Sequence, residues 1–133
     1  MNYPRAQILK LMMDYFGDDY GRIEHSLRVL YHSENIMTEY DSYDLEIVIA
    51  SAILHDIGIK KSEEILGYND GKSQEKYGPG VAEELLNSIG FPKEKIEIVK
   101  NIIGNHHSPS QYDYVELEIL KKADLIVNRD EKI

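Results

Sequence analysis

Apolar residues recur along most of this chain at three- and four-residue intervals, the period of a helix with one buried face. Ile8, Leu11, Met12, Tyr15 and Phe16 form such a stripe over residues 5–16, and Gly17 is placed to stop it. A second helix is predicted from about Tyr20 to Tyr40. Asp44 can cap a third, which carries Leu45, Val48, Ile49, Ala52 and Ile53 on one face and ends near His55-Asp56. Gly58 reads there as a left-handed C-terminal stop. Residues Ser62–Tyr77 are polar and punctuated by glycine, and predict at most one helical turn at Ser62–Leu66. Gly78-Pro79 then reads as a cap followed by a first-position proline. The helix it opens bears Val81, Ala82, Leu85, Leu86 and Ile89, and Gly90 ends it. Pro92 starts another, with Ile96, Val99, Ile102 and Ile103, reaching Asn105. After a loop at Ser108-Pro109-Ser110, a last helix spans about Tyr114–Asn128 through Leu117, Leu120 and Val127. Strand signals are nearly absent, since nothing alternates for long and no tight turn joins two β-like runs. The expectation is an all-α protein: one compact bundle of six or seven helices over residues 1–133.

Several polar residues fall in phase with these apolar stripes. His25, Val29, His32 and Ile36 share one face of the second helix, and Leu117, Leu120, Asp124 and Val127 share one face of the last. His55-Asp56 closes the third helix just past Ala52 and Ile53, and His106 follows Ile102 and Ile103 by one turn. An unpaired buried carboxylate loses several kcal/mol of solvation or is forced neutral. Inward Asp residues are therefore kept when paired, hydrogen-bonded or bound to a metal. Taken singly, each residue has a plain structural reading. A lone inward His is more often a hydrogen-bonded core residue than a ligand, and His32 fits that description. Asp124 alone suits an ion pair. As a set, two His and two Asp entering one core from separate helices can satisfy one another as ligands of a single divalent cation.

Composition narrows the chemistry. The chain has 133 residues, no cysteine and a formal charge of −9. Disulfides, thiolate zinc sites, iron–sulfur clusters and a Cys nucleophile are excluded together. Stable nucleic-acid binding is not expected, because it needs clustered Lys and Arg. No apolar run is long enough to span a bilayer, and the N-terminus lacks a signal-peptide pattern, so a cytoplasmic protein without membrane contact is expected. A homodimer is the base-rate expectation for oligomeric state.

The order His25 … His55-Asp56 … Asp124 resembles the signature of the HD-domain superfamily of metal-dependent phosphohydrolases. The flanking residues resemble it too: His25-Ser26-Leu27-Arg28-Val29, Ile53-Leu54-His55-Asp56-Ile57-Gly58, Ile102-Ile103-Gly104-Asn105-His106 and Lys122-Ala123-Asp124-Leu125-Ile126. The match covers roughly residues 20–130, and the small stand-alone prokaryotic members are the most similar subgroup. The resemblance implies a five-to-seven-helix bundle, metal ligands at His25, His55, Asp56 and Asp124, and a catalytic pair at His55-Asp56. Many dinuclear members carry a further His before the helix corresponding to 80–89. Here that stretch reads Gln74-Glu75-Lys76-Tyr77, so Glu75 is the candidate stand-in as oxygen ligand or proton acceptor. His106 and His107 are candidates for a second metal or for orienting phosphate.

Two imidazoles and two carboxylates suit Mn²⁺, Fe²⁺, Co²⁺, Ni²⁺, Zn²⁺ or Mg²⁺ without singling one out. A divalent ion there would lower the pKa of water and polarise a phosphoryl oxygen, and Asp56 is the candidate proton acceptor. The expected activity is hydrolysis of a phosphoester in a small nucleotide or related metabolite. The alternative is a non-catalytic metal- or nucleotide-binding module. Candidate phosphate contacts are Lys60 and Lys61 just past Gly58, Lys72 on the polar insert, and Arg28 one turn from His25. Each also has a bland reading, as an exposed lysine or a local ion pair. Tyr68, Tyr77 and Tyr112 are candidates to stack on a nucleobase, against packing as the ordinary role of tyrosine.

Overall fold

A computed structural model describes residues 3–131. Among them are seven helices and no strand: α1 Pro4–Phe16, α2 Tyr20–Met37, α3 Leu45–Leu54, α4 Gly58–Leu66, α5 Gly71–Ser88, α6 Lys93–Ile103 and α7 Val115–Glu131. The expected all-α bundle is what the chain forms.

The segment Ile47–Leu54 is apolar on every side apart from Ser51, and every one of its residues is buried. A helix apolar all round must be enclosed by others, and α3 accordingly packs on α1, α2, α6 and α7. Asp44 starts it by accepting from the Ile47 amide (3.1 Å). Helices α2 and α7 pack along each other beside it, and this contact brings His25, in the N-terminal half of α2, to Asp124 and Glu131 in the C-terminal half of α7. Gly17 and Gly90 close α1 and α5 with positive φ, as the local pattern predicts.

Three features differ from expectation. The polar segment after Ser62 is helical through most of its length. Helix α4 runs to Leu66 and stops at Gly67 in the left-handed conformation. Helix α5 then begins at Gly71, where Asp70 and Ser73 form a reciprocal capping box. Pro79 is inside α5 rather than at its start. It cannot donate to the Glu75 carbonyl one turn earlier, but the helix continues past it.

Gly58 is not a left-handed stop. It opens α4 with an ordinary φ, and it is small because another helix needs the space. A Cβ at Gly58 would lie 2.6 Å from the Gly78 amide nitrogen, and one at Gly78 would lie 2.7 Å from Ile103 Cγ2. The two glycines let the backbones of α4 and α5 come into near contact and make room for the Ile103 side chain of α6.

Candidate metal centre

Four elements converge at one pole of the bundle. His25 lies in α2, His55-Asp56 in the tight turn joining α3 to α4, His106-His107 in the turn after α6, and Asp124 in α7. His25 Nε2 is 3.2 Å from His55 Nε2, 3.2 Å from Asp56 Oδ2 and 3.2 Å from Asp124 Oδ1. His55 Nε2 is 3.4 Å from each of the same two carboxylate oxygens. Ligands about 3.3 Å apart that subtend about 90–110° at a common ion lie roughly 2.0–2.3 Å from it, the bond length of N and O donors on a divalent metal.

The imidazoles are aimed as ligands are aimed. His55 Nδ1 donates to the Ala52 carbonyl (2.8 Å) and His106 Nδ1 to the Ile103 carbonyl (2.6 Å). His25 Nδ1 donates to the Glu131 carboxylate (3.0 Å). A carbonyl or carboxylate oxygen only accepts, so each Nδ1 carries the hydrogen and each Nε2 presents its lone pair to the interior. Asp124 Oδ1 and His106 Nε2 are buried and have no hydrogen-bond partner. Buried polar atoms without partners are costly. A cation at the convergence point satisfies Asp124 Oδ1, and the donor set of imidazole nitrogen and carboxylate oxygen fits a divalent metal.

Asp56 has a second face. Its Oδ1 lies 3.8 Å from His106 Nε2, and Asp56, His106 and His107 offer ligand atoms within 4.8 Å of one another. The His25, His55 and Asp56 atoms meet the same limit. One carboxylate thus borders two groups of donors.

The electrostatics carry the same sense. Burial disfavours a charged imidazole at His55, yet Asp56 and Asp124 outweigh it and hold the pKa well above the ordinary histidine value. His25 is raised likewise, with burial opposed by Asp124, Asp56 and Glu131. Burial would raise the Asp56 and Asp124 carboxyls, but the facing imidazoles hold both well below the usual range. The two carboxylates thus favour a positive charge at the facing Nε2 atoms, so protons and a metal compete for the same lone pairs.

A cavity of about 270 Å³ opens onto this cluster, lined in part by Arg22, Ile59, Asn69, Gln74, His107 and Asn128.

The HD domain family model matches residues 22–129, which includes every element of the cluster. The chain belongs to the HD domain family. That membership bears out the HD-domain superfamily that the ordered motifs resemble. A relative from Clostridium beijerinckii (strain ATCC 51743 / NCIMB 8052), named only as an uncharacterized protein, is 33% identical over 75 residues. The aligned stretch is 56% of this chain and 45% of that one, so this chain spans less than half of the relative's length. No solved structure matches the chain. Among the described residues, no helix of this HD domain is long and apolar enough to cross a membrane.

The structure brings His25, His55, Asp56 and Asp124 together and sets His106 and His107 beside them. The other residues singled out from the sequence lie elsewhere. Lys60 Nζ donates to the Tyr15 carbonyl (3.1 Å) and rests over the Tyr15 ring. Arg28 pairs with Glu24 one turn earlier (3.3 Å). Lys61 and Lys72 are exposed, and neither lines the cavity. Glu75 accepts from the His107 amide (2.9 Å) and the Ser108 hydroxyl (2.7 Å), which ties α5 to the His106-His107 turn. His32 packs against Tyr31 and takes no part in the cluster.

Arg22 and Asn128 were not singled out, although a signal for both exists. Arg22 precedes His25 by three residues and Asn128 follows Asp124 by four, so each shares its ligand's helix face. Glu131, seven residues past Asp124, follows the same rule. Asn69 and Gln74 have no such local signal.

Proposed function

We propose that this HD domain is a metal-dependent phosphohydrolase that cleaves a phosphoester of a small nucleotide or related phosphorylated metabolite. The observation that carries this reading is the convergence of His25, His55, Asp56 and Asp124 on one point, with three imidazoles held Nε2-inward by Nδ1 hydrogen bonds. A divalent ion held there supplies an acidified water and withdraws charge from the phosphoryl oxygens. The protein's own part is to bring the reactants together and to move protons. The water oxygen bonds to phosphorus, the ester P–O bond breaks, and the alcohol leaves with a proton. Asp56 is the proton acceptor, because its carboxylate reaches the cluster through Oδ2 while Oδ1 stays on the His106 side. A second ion held by Asp56, His106 and His107 would occupy Oδ1 in place of that proton-accepting role.

Metal analysis of the purified protein, followed by a screen of phosphorylated metabolites with Mn²⁺ or Fe²⁺, tests the reading. Asp56→Ala is expected to abolish turnover and weaken metal retention. A variant that retains both at wild-type level would overturn the assignment. Wild-type protein that holds metal but releases no phosphate from any substrate would instead support the non-catalytic module.

A further inference from the structure

Ligand pockets commonly owe most of their lining to apolar and aromatic side chains. The cavity beside this metal cluster does not. Ile59 is the one large apolar side chain among its lining residues, and no Tyr or Phe is among them. Tyr77 lies under Lys76 Nζ (5.4 Å to the ring centre) and Tyr112 stacks on Tyr114 (5.2 Å between centres). Tyr68 is exposed and also outside the lining. A nucleobase entering here meets no tyrosine to stack on.

A hydrogen-bonded row of side chains lines the cavity instead. Asn69 Nδ2 donates to Glu63 Oε2 (2.8 Å), Gln74 Nε2 donates to Asn69 Oδ1 (2.9 Å), and His107 Nε2 donates to Gln74 Oε1 (2.6 Å). Each amide uses one N–H in the row and keeps the other, and each is oriented by its neighbour. Asn128 lines the same cavity, and its side chain makes no hydrogen bond among the described residues. Arg22 is the one Lys or Arg in the lining. Its Nε is buried without a hydrogen-bond partner, and its contacts with Asp19 and Glu63 are both 3.5 Å long. A guanidinium so loosely held has donors to spare for an anion.

We infer that the cavity takes a phosphate monoester of a hydroxyl-rich small molecule, a sugar or polyol phosphate. The phosphate faces the metal cluster and Arg22, and the hydroxyls meet the side-chain amides of Asn69, Gln74 and Asn128. This rests on the hydrolase reading only for the placement of the phosphate. Hydroxyls donate and accept, as amides do. A site built to bond hydroxyls rejects analogues that lack them far more strongly than an apolar pocket rejects a misfit.

Calorimetric titration of the Mn²⁺-saturated protein with ribose 5-phosphate, AMP and pentyl phosphate tests this. All three carry the same phosphate monoester. AMP adds a base to the ribose phosphate, and pentyl phosphate removes the hydroxyls. Ribose 5-phosphate is expected to bind at least ~10-fold tighter than pentyl phosphate and no more weakly than AMP. A smaller advantage over pentyl phosphate, a preference for AMP, or no binding of ribose 5-phosphate overturns the inference. Asn128→Leu, at an exposed position, is expected to weaken ribose 5-phosphate about 10-fold and to leave pentyl phosphate unchanged. Equal loss for both, or none for either, removes Asn128 from the site. Release of inorganic phosphate from ribose 5-phosphate is followed separately. If it is absent while the binding order holds, the hydrolase reading fails and the ligand class stands.

Discussion

Asp56 stands between two groups of donors that differ in how firmly they are built. On its Oδ2 side, His25, His55 and Asp124 lie 3.2–3.4 Å apart, drawn from α2, the α3–α4 turn and α7. On its Oδ1 side, His106 is 3.8 Å away, and His107 is exposed and already donates to Gln74. The first group is locked from behind by a backbone carbonyl and by Glu131. The second shares one such lock, at His106, and otherwise depends on the loop that Glu75 holds in place. The difference shows what makes a ligand set more than a set of nearby residues. Each donor must have its lone pair aimed by a partner on its other side.

The largest expected effect is to remove one donor from each group in turn. His55→Ala takes away a fully buried imidazole, and its metal affinity is expected to fall by at least ~100-fold, with turnover lost. His107→Ala is expected to keep one tightly held ion and to lose only a weaker second one. Metal-to-protein ratios measured after gel filtration decide it, and a His107→Ala protein stripped of all metal would reverse the ranking of the two groups. Glu131→Gln sharpens the comparison by leaving every ligand in place while weakening the lock on His25. Metal affinity is expected to drop about 10–100-fold, read by competition with a chromophoric chelator.

Thermal stability reports the first group through pH. In the metal-free protein the raised His25 and His55 pKa values make their protonation stabilising. That stability is present below the unfolded value of 6.5 and is lost as pH rises through the folded values. The depressed Asp56 and Asp124 act in the opposite direction. Their stability is present above 3.8 and is lost as pH falls through the folded values. Protons therefore occupy the cluster at mildly acid pH, and the metal replaces them as pH rises. Mn²⁺ at about 100 times its Kd stabilises by about 2.7 kcal/mol, roughly 8–12 °C in Tm for a chain of this size. The shift is expected to grow between about pH 6 and pH 8, and a shift that shrinks over that range would contradict shared occupancy. The smallest effect belongs to Glu75→Gln. It keeps one acceptor for the His107 turn, so a loss of about 1 kcal/mol or less in chemical denaturation is expected, with metal in the first group unaffected.

Most of the first group was legible in the sequence because its members break an apolar stripe. Asp124 sits in phase with Leu117, Leu120 and Val127, where solvation cost demands a partner. His25 and His55 are conspicuous in the same way. The phosphate contacts were harder to read. Lys60 and Arg28 are close in sequence to the ligands, but a flexible cation goes to whatever acceptor lies within reach, here the Tyr15 carbonyl and Glu24. Gly58 was misread for a related reason. A glycine that ends a helix and one that admits a neighbouring backbone look alike until the neighbour, Gly78, is in place.

Helical class, the burial of Val48, Ile49, Ala52 and Ile53 in α3 and the inward turn of the ligand residues follow from the chain itself, because a 3.6-residue period and the cost of burying charge act over a few neighbouring residues. Which lone pairs meet, that Asp56 faces two groups, and that Asn69, Gln74 and His107 join into one wall were decided only when separate helices packed. Those contacts link residues far apart in sequence, and no local spacing encodes the distance between them.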